Sequence, residues 1–101
     1  MDQRLKLHAI LEQILGSAYV YFQPPSNIKM KYPCIIYHRD AANTRFADNS
    51  PYRHTKRYAV TIIDGDPDSP IPDKVAELPL CSFDRAFVAD NLNHDVYSLY
   101  F

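Results

Sequence analysis

Lys56-Arg57-Tyr58-Ala59-Val60-Thr61-Ile62-Ile63-Asp64 is the stretch on which the fold turns. In an extended chain Tyr58, Val60 and Ile62 fall on one face, and Ala59, Thr61 and Ile63 on the other. Both faces are largely apolar, and the β-branched content suits a strand. A strand with one wet face would alternate apolar with polar. The stretch therefore reads as a central strand, and the other elements are laid out around it.

Downstream, Asp64-Gly65-Asp66-Pro67-Asp68-Ser69-Pro70-Ile71-Pro72 is a turn by composition. Pro72 suits the first turn of a short helix over roughly 72–78, which Pro79 ends. Cys81, Phe83, Arg85 and Phe87 then alternate with Ser82, Asp84, Ala86 and Val88. Asp90-Asn91-Leu92-Asn93 carries turn chemistry, and Val96 to Phe101 is a final strand. The last two strands read as a hairpin.

Upstream, Asn43 to Thr55 is polar and irregular, and reads as a long loop. Its Phe46 and Tyr52 either pack on another surface or fold back on their own sheet. Tyr32 to Ala41 is a strand centred on Cys34-Ile35-Ile36-Tyr37, with Pro33 at its start or on an exposed edge. Ala18 to Phe22 is a short β-rich run stopped by Pro24-Pro25. Leu7, Ile10, Leu11, Ile14 and Leu15 recur at helical spacing, which predicts a docked helix over 3–15. Asp2 is placed to start it and Gly16 to end it.

The expected fold class is α+β: a mostly antiparallel sheet of about five strands, with one long N-terminal helix and one short helix. The length of 101 residues fits one domain over 1–101. So few helices cover one sheet face, and the aromatic content suggests neighbouring subunits as cover for the other.

Composition narrows the function. Eleven Lys and Arg stand against twelve Asp and Glu, a formal net charge of -1. An avid reader of DNA carries a basic excess, and none is present. No apolar run reaches the length of a membrane span, and the amphipathic start is unlike a signal peptide, so an intracellular setting is expected. Cys34 and Cys81 then read as free, buried thiols. Thirteen per cent of the residues are aromatic, eight of them Tyr. Tyr is both a good strand former and a frequent interface residue.

The motifs that would carry chemistry fall short. Asp64, Asp66 and Asp68 have the spacing of a calcium loop, but Ser69 and Val75 stand where that loop needs Gly and a bidentate Glu. An acidic turn ahead of the helix at 72 explains them better. Asp84, Asp90 and Asp95 lie on or beside the final hairpin, and strand alternation does not converge them into a two-metal site. His8, His38, His54 and His94 are scattered, and the cysteines lack zinc spacing. Two glycines cannot build a phosphate loop. No catalytic residue, cofactor or metal ligand is therefore assigned, and the chain is expected not to be an enzyme. Arg45, Arg53, His54, Lys56 and Arg57 form a basic cluster interleaved with Phe46 and Tyr52. It suits a nucleic-acid backbone, a solvated face, or acids on a partner such as the stretch 64–73 of another copy.

The sequence resembles the small tail-completion, or tail-terminator-like, neck proteins of long-tailed phages of Gram-positive bacteria. The segments that carry the likeness are Tyr32 to Tyr37, Phe46-Ala47-Asp48-Asn49, Val60 to Asp64, Asp66-Pro67-Asp68-Ser69, Ile71-Pro72-Asp73-Lys74, Leu78-Pro79-Leu80-Cys81, Phe83-Asp84-Arg85 and Ala89 to Asp95. The resemblance implies a structural protein of the virion neck, made in the host bacterial cytoplasm. It implies a homo-oligomeric ring, commonly a hexamer, that caps the tail tube and meets head-connector proteins. DNA would pass its lumen without specific binding, which suits a near-neutral chain. Alternatives are a head-completion adaptor that binds the portal, a small metal-dependent nuclease of a mobile element, and a non-viral dimeric module.

The interface residues expected on this reading are Phe46, Asp48, Asn49 and Tyr52 on the loop, with Asp84 and Arg85 on the hairpin. Asp84 and Arg85 also admit a purely structural role. Charge reversal at Asp48, or truncation of 43–54, is expected to abolish assembly and leave the fold intact.

Overall fold

A computed structural model describes residues 3–24, 31–47 and 50–101, with backbone alone at residue 3 and through 41–47 and 50–55. Helix α1 spans Gln3–Leu15, as the apolar spacing predicts. Leu7 and Leu11 are fully buried, and Ile14 and Leu15 pack on the same core from its margin. Gly16 ends the helix at φ +81, a left-handed conformation that glycine adopts without steric cost. Its N–H donates to the Glu12 carbonyl at 2.8 Å.

Five strands follow: β1 at Val20–Phe22, β2 at Cys34–Ala47, β3 at Ser50–Asp64, β4 at Cys81–Ala89 and β5 at Leu92–Tyr100, with α2 at Ile71–Ala76 before β4. Their order across the sheet is β1-β2-β3-β5-β4, so β3 is central, as its two apolar faces require. Tyr58, Val60 and Ile62 are buried on the helix-covered face, and Ile63 is buried on the other. The core between sheet and helices joins Leu7 and Leu11 of α1 with Ile35, Tyr37, Val60, Ile62 and Leu99 of the strands, and Ile71 and Val75 of α2.

Three expectations are corrected. The sheet is mixed rather than mostly antiparallel, because β1 pairs parallel to β2, Val20 opposite Ile35 through Phe22 opposite Tyr37. Parallel neighbours need a connection that returns to the starting end. The N-terminal helix is not long: its 13 residues rise about 20 Å, an ordinary length for a globular protein.

The third correction concerns 43–55, which is no loop. β2 and β3 run through it, paired antiparallel from Cys34 opposite Ile63 to Ala47 opposite Ser50. β5 accompanies β3 only as far as Arg57 opposite Tyr100. Lys56 still exchanges backbone hydrogen bonds with Phe101, and beyond it β2 and β3 continue as a two-stranded arm for six further residues of β3, about 20 Å at the usual rise. A ribbon with no third strand has no sheet core to face, so its sequence need not alternate apolar with polar. The arm accounts for an elongated shape of 51 by 23 by 23 Å.

The final hairpin is tighter than its composition suggested. Asp90 and Asn91 alone form the turn, at φ 53 and 61. Two consecutive positive φ values define the turn whose twist matches paired strands.

Candidate assembly surface

Of the expected interface residues, Phe46 lies on β2 opposite Pro51, and Tyr52 lies on β3, both in the outer part of the arm. Asp48 and Asn49 lie outside the described residues. Asp84 and Arg85 are exposed on β4. β4 is one edge of the sheet, and two strands separate it from β2. The four described residues therefore do not form one patch within a single copy. The arm and the β4 edge are two distinct surfaces.

Two of these positions share a backbone feature. The β2–β3 ladder passes from Arg53 opposite Arg45 to Pro51 opposite Phe46, skipping Tyr52. The β4–β5 ladder passes from Phe83 opposite Tyr97 to Arg85 opposite Val96, skipping Asp84. An unpaired extra residue bends a strand and re-aims the side chains around it.

At Asp84 the consequence is concrete. Simple alternation would put Phe83 and Phe87 on one face. Instead Phe83 meets Tyr97 on the helix side, edge-on at 5.6 Å between ring centroids. Phe87 stacks on His94 at 4.6 Å on the opposite side. The Arg85 guanidinium sits 5.8 Å from the Phe87 ring. The exposed apolar side chains of this edge are Phe83, Phe87 and Val88, the last 69% exposed. Sequence reading missed them as a surface, although an apolar-rich strand next to a two-residue turn was the available signal. A charged pair and a bulge at the middle of an edge strand oppose indiscriminate strand pairing. That gives Asp84 and Arg85 a structural role on their own edge.

The base of the arm is built around Tyr37, which is wholly buried. Arg4, His8 and Glu12 recur every four residues along α1, on the stripe facing it. An Arg4 N–H donates to the Tyr37 hydroxyl at 3.4 Å. The Tyr37 hydroxyl and His8 Nδ1 share a hydrogen bond at 2.7 Å, in which the imidazole tautomer sets the donor. His8 Nε2 then faces the Glu12 carboxylate at 3.8 Å. Burial pushes the Tyr37 phenol above its ordinary value, with Arg4 pulling the other way, so it stays neutral at neutral pH.

Two concave regions flank α1 at this level. On one side is an apolar groove of about 370 Å³, lined by Leu7, Ile10, Leu78, Leu80, Leu99 and Phe101 among others. On the other is a polar hollow of about 170 Å³, lined by Arg4, Phe22, Gln23, Arg39, Lys56 and Tyr58. The two meet through backbone: Lys56 and Phe101 exchange N–H···O bonds at 3.0 and 3.4 Å. Arg57 donates to Asp40 at 2.9 Å, and this hydrogen bond is the largest cause of its raised pKa.

The opposite end of the sheet is acidic. The Asp64 carboxylate accepts from the Asp66 N–H at 3.0 Å, and the Asp66 carboxylate accepts from the Asp68 N–H at 2.9 Å. Two of the three carboxylates that resembled a calcium loop thus shape the turn itself. The Ser69 hydroxyl accepts from the Ile71 N–H at the start of α2. Among the described residues, no three or more His, Cys, Asp or Glu side chains come close enough to hold a metal ion.

The thiols are unsuited to nucleophilic work. Burial, then the nearby Asp64 charge, pushes the Cys34 thiol up to about 11. Burial also raises Cys81. Both cysteines are free, on β2 and β4. No described helix is long and apolar enough to cross a membrane. Compared with known proteins, the sequence is matched by no protein-family model and by no curated protein.

Proposed function

We propose that this chain is a non-enzymatic assembly part: a phage neck protein that self-associates into a ring, caps the tail tube and joins tail to head. The arm carries this reading. About 20 Å of paired strand extends past the last three-stranded position of the sheet, at Lys56. An isolated two-stranded ribbon is marginal in water, so an arm of this length is best explained by a neighbour that completes it. The exposed apolar edge of β4 supports the same reading, because such edges mark interaction sites. The resemblance of the sequence to tail-terminator-like neck proteins supplies the particular assembly. Tube and head-connector proteins are the proposed partners, and DNA passes without specific contacts.

The test is solution mass by light scattering over a concentration series, with negative-stain imaging, first alone and then with tail tubes. The comparison variant replaces residues 43–55 by Asn-Gly, which closes the opposed pair Ala42 and Lys56 in a two-residue turn. The wild type is expected to form closed rings at tube ends, and the shortened chain to stay folded and monomeric. Rings of normal size from the shortened chain would remove the arm from the reading. A full-length chain that ignores tubes would remove the neck role.

A further inference from the structure

The charges of this chain are sorted in space. Residues 1–63 hold nine of the eleven Lys and Arg, and residues 64–101 hold eight of the twelve Asp and Glu. The fold turns that sequence bias into two ends. β3 runs from the arm, past Lys56 and Arg57, to Asp64. At the arm end the register sets Arg45 opposite Arg53, and Arg39 and Lys56 line the polar hollow. At the far end lie Asp64, Asp66, Asp68, the turn at Asp90, and Asp95.

Each end also has an apolar feature beside its charge. At the basic end the groove bordered by Leu80, Leu99 and Phe101 adjoins the cationic hollow through Lys56. At the acidic end Phe87 and Val88 surround a shallow recess with Pro67, which sits between Asp66 and Asp68. Recess and groove are thus complementary in both respects: exposed apolar side chains next to acids, and an apolar groove next to cations.

We infer that two copies associate head to tail, with Phe87 and Val88 of one copy in the groove of the next, and its Asp66–Asp68 turn against Arg39 and Lys56. This rests on the reading of the chain as a self-assembling protein and specifies its interface. Contact between unlike ends is heterologous, and repeats into a ring or an open filament rather than a closed pair.

The experiment is sedimentation velocity on the full chain and two variants, with thermal melts to confirm that each is folded. One variant breaks the basic end (Lys56→Glu), the other the acidic end (Asp66→Lys with Asp68→Lys). Each alone should weaken self-association at least about tenfold, as should raising salt from about 0.05 to about 0.5 M. Mixed, the two variants should regain assembly in alternation, because the intact ends pair as in the wild type and the reversed ends, Lys56→Glu of one against Asp66→Lys and Asp68→Lys of the other, are again opposite in charge. A repeat with Val88→Asp should lose association without losing the fold. The inference is overturned if the wild type does not associate, if association ignores salt and both variants, or if it saturates at a two-fold dimer. Tube binding separates the two claims. A chain that caps tubes without mixing rescue keeps the neck role and loses this interface. One that shows rescue but ignores tubes does the reverse.

Discussion

Tyr37→Phe removes a single hydroxyl and leaves the aromatic packing in place. The ring stays among Phe22 at 5.0 Å, His8 at 5.6 Å and Tyr58 at 5.9 Å, so no cavity opens. What is lost is the 2.7 Å bond to His8 and the weaker 3.4 Å contact from Arg4. One neutral hydrogen bond is worth about 1 kcal/mol net, and His8 is open enough to find water instead. The expected cost is therefore about 1–1.5 kcal/mol. With a urea m-value of about 1.5 kcal/mol/M, the unfolding midpoint should fall by about 0.7–1 M with m unchanged. His8→Ala removes the same bond from the other side. The double variant should then cost clearly less than the sum of the singles, with a coupling near 1 kcal/mol. Equilibrium urea unfolding followed by circular dichroism, at one fixed pH, measures all four corners. A shift below about 0.2 M for Tyr37→Phe, or full additivity of the two changes, would refute the claim that this bond holds α1 to the sheet.

Two other outcomes are expected. The Cys34 thiol has a folded-state pKa of about 11 against an ordinary 9.0, so its contribution to stability is complete below pH 9 and fades as pH rises to 11. The loss is at most about 3 kcal/mol, and Cys34→Ala should flatten that part of the stability profile; an unchanged slope in the variant would assign the effect to other groups. Leu80 holds φ 59, a conformation that costs a branched side chain about 1–2 kcal/mol, and it is 56% exposed. Leu80→Gly should therefore raise the melting temperature while weakening self-association, read by calorimetry and sedimentation on one sample; a lower melting temperature would show that its packing outweighs its strain.

The parts of the fold legible in the sequence are those where burial dictates residue type. The α1 stripe, the two-faced apolar strand β3 and the turn at Asp90-Asn91 all follow from period or from turn chemistry. The arm was not legible for the converse reason. Its strands are defined by pairing with each other, and pairing leaves no mark on composition unless one face is buried. The parallel placement of β1 was hidden too, because a three-residue strand has no period to read. For the candidate surface, the choice of Phe46 and Tyr52 came from aromatics in a polar stretch, and the structure sets both on the arm. Phe87 and Val88 were passed over because simple alternation cannot anticipate a residue left out of the ladder.

That omitted residue, Asp84, has a consequence for how the strand tolerates change. Two fixed points hold β4 against β5: the two-residue turn at Asp90-Asn91, and Phe83 opposite Tyr97. Between them β4 holds one residue more than its partner. A deletion anywhere from Asp84 to Ala86 could be taken up by straightening the ladder, with Phe83 and Phe87 keeping their partners. A deletion in β5 has no such slack, and would force either the turn or the aromatic pair out of register. Of the two strands, β4 alone can shorten by one residue without redrawing the surface it presents.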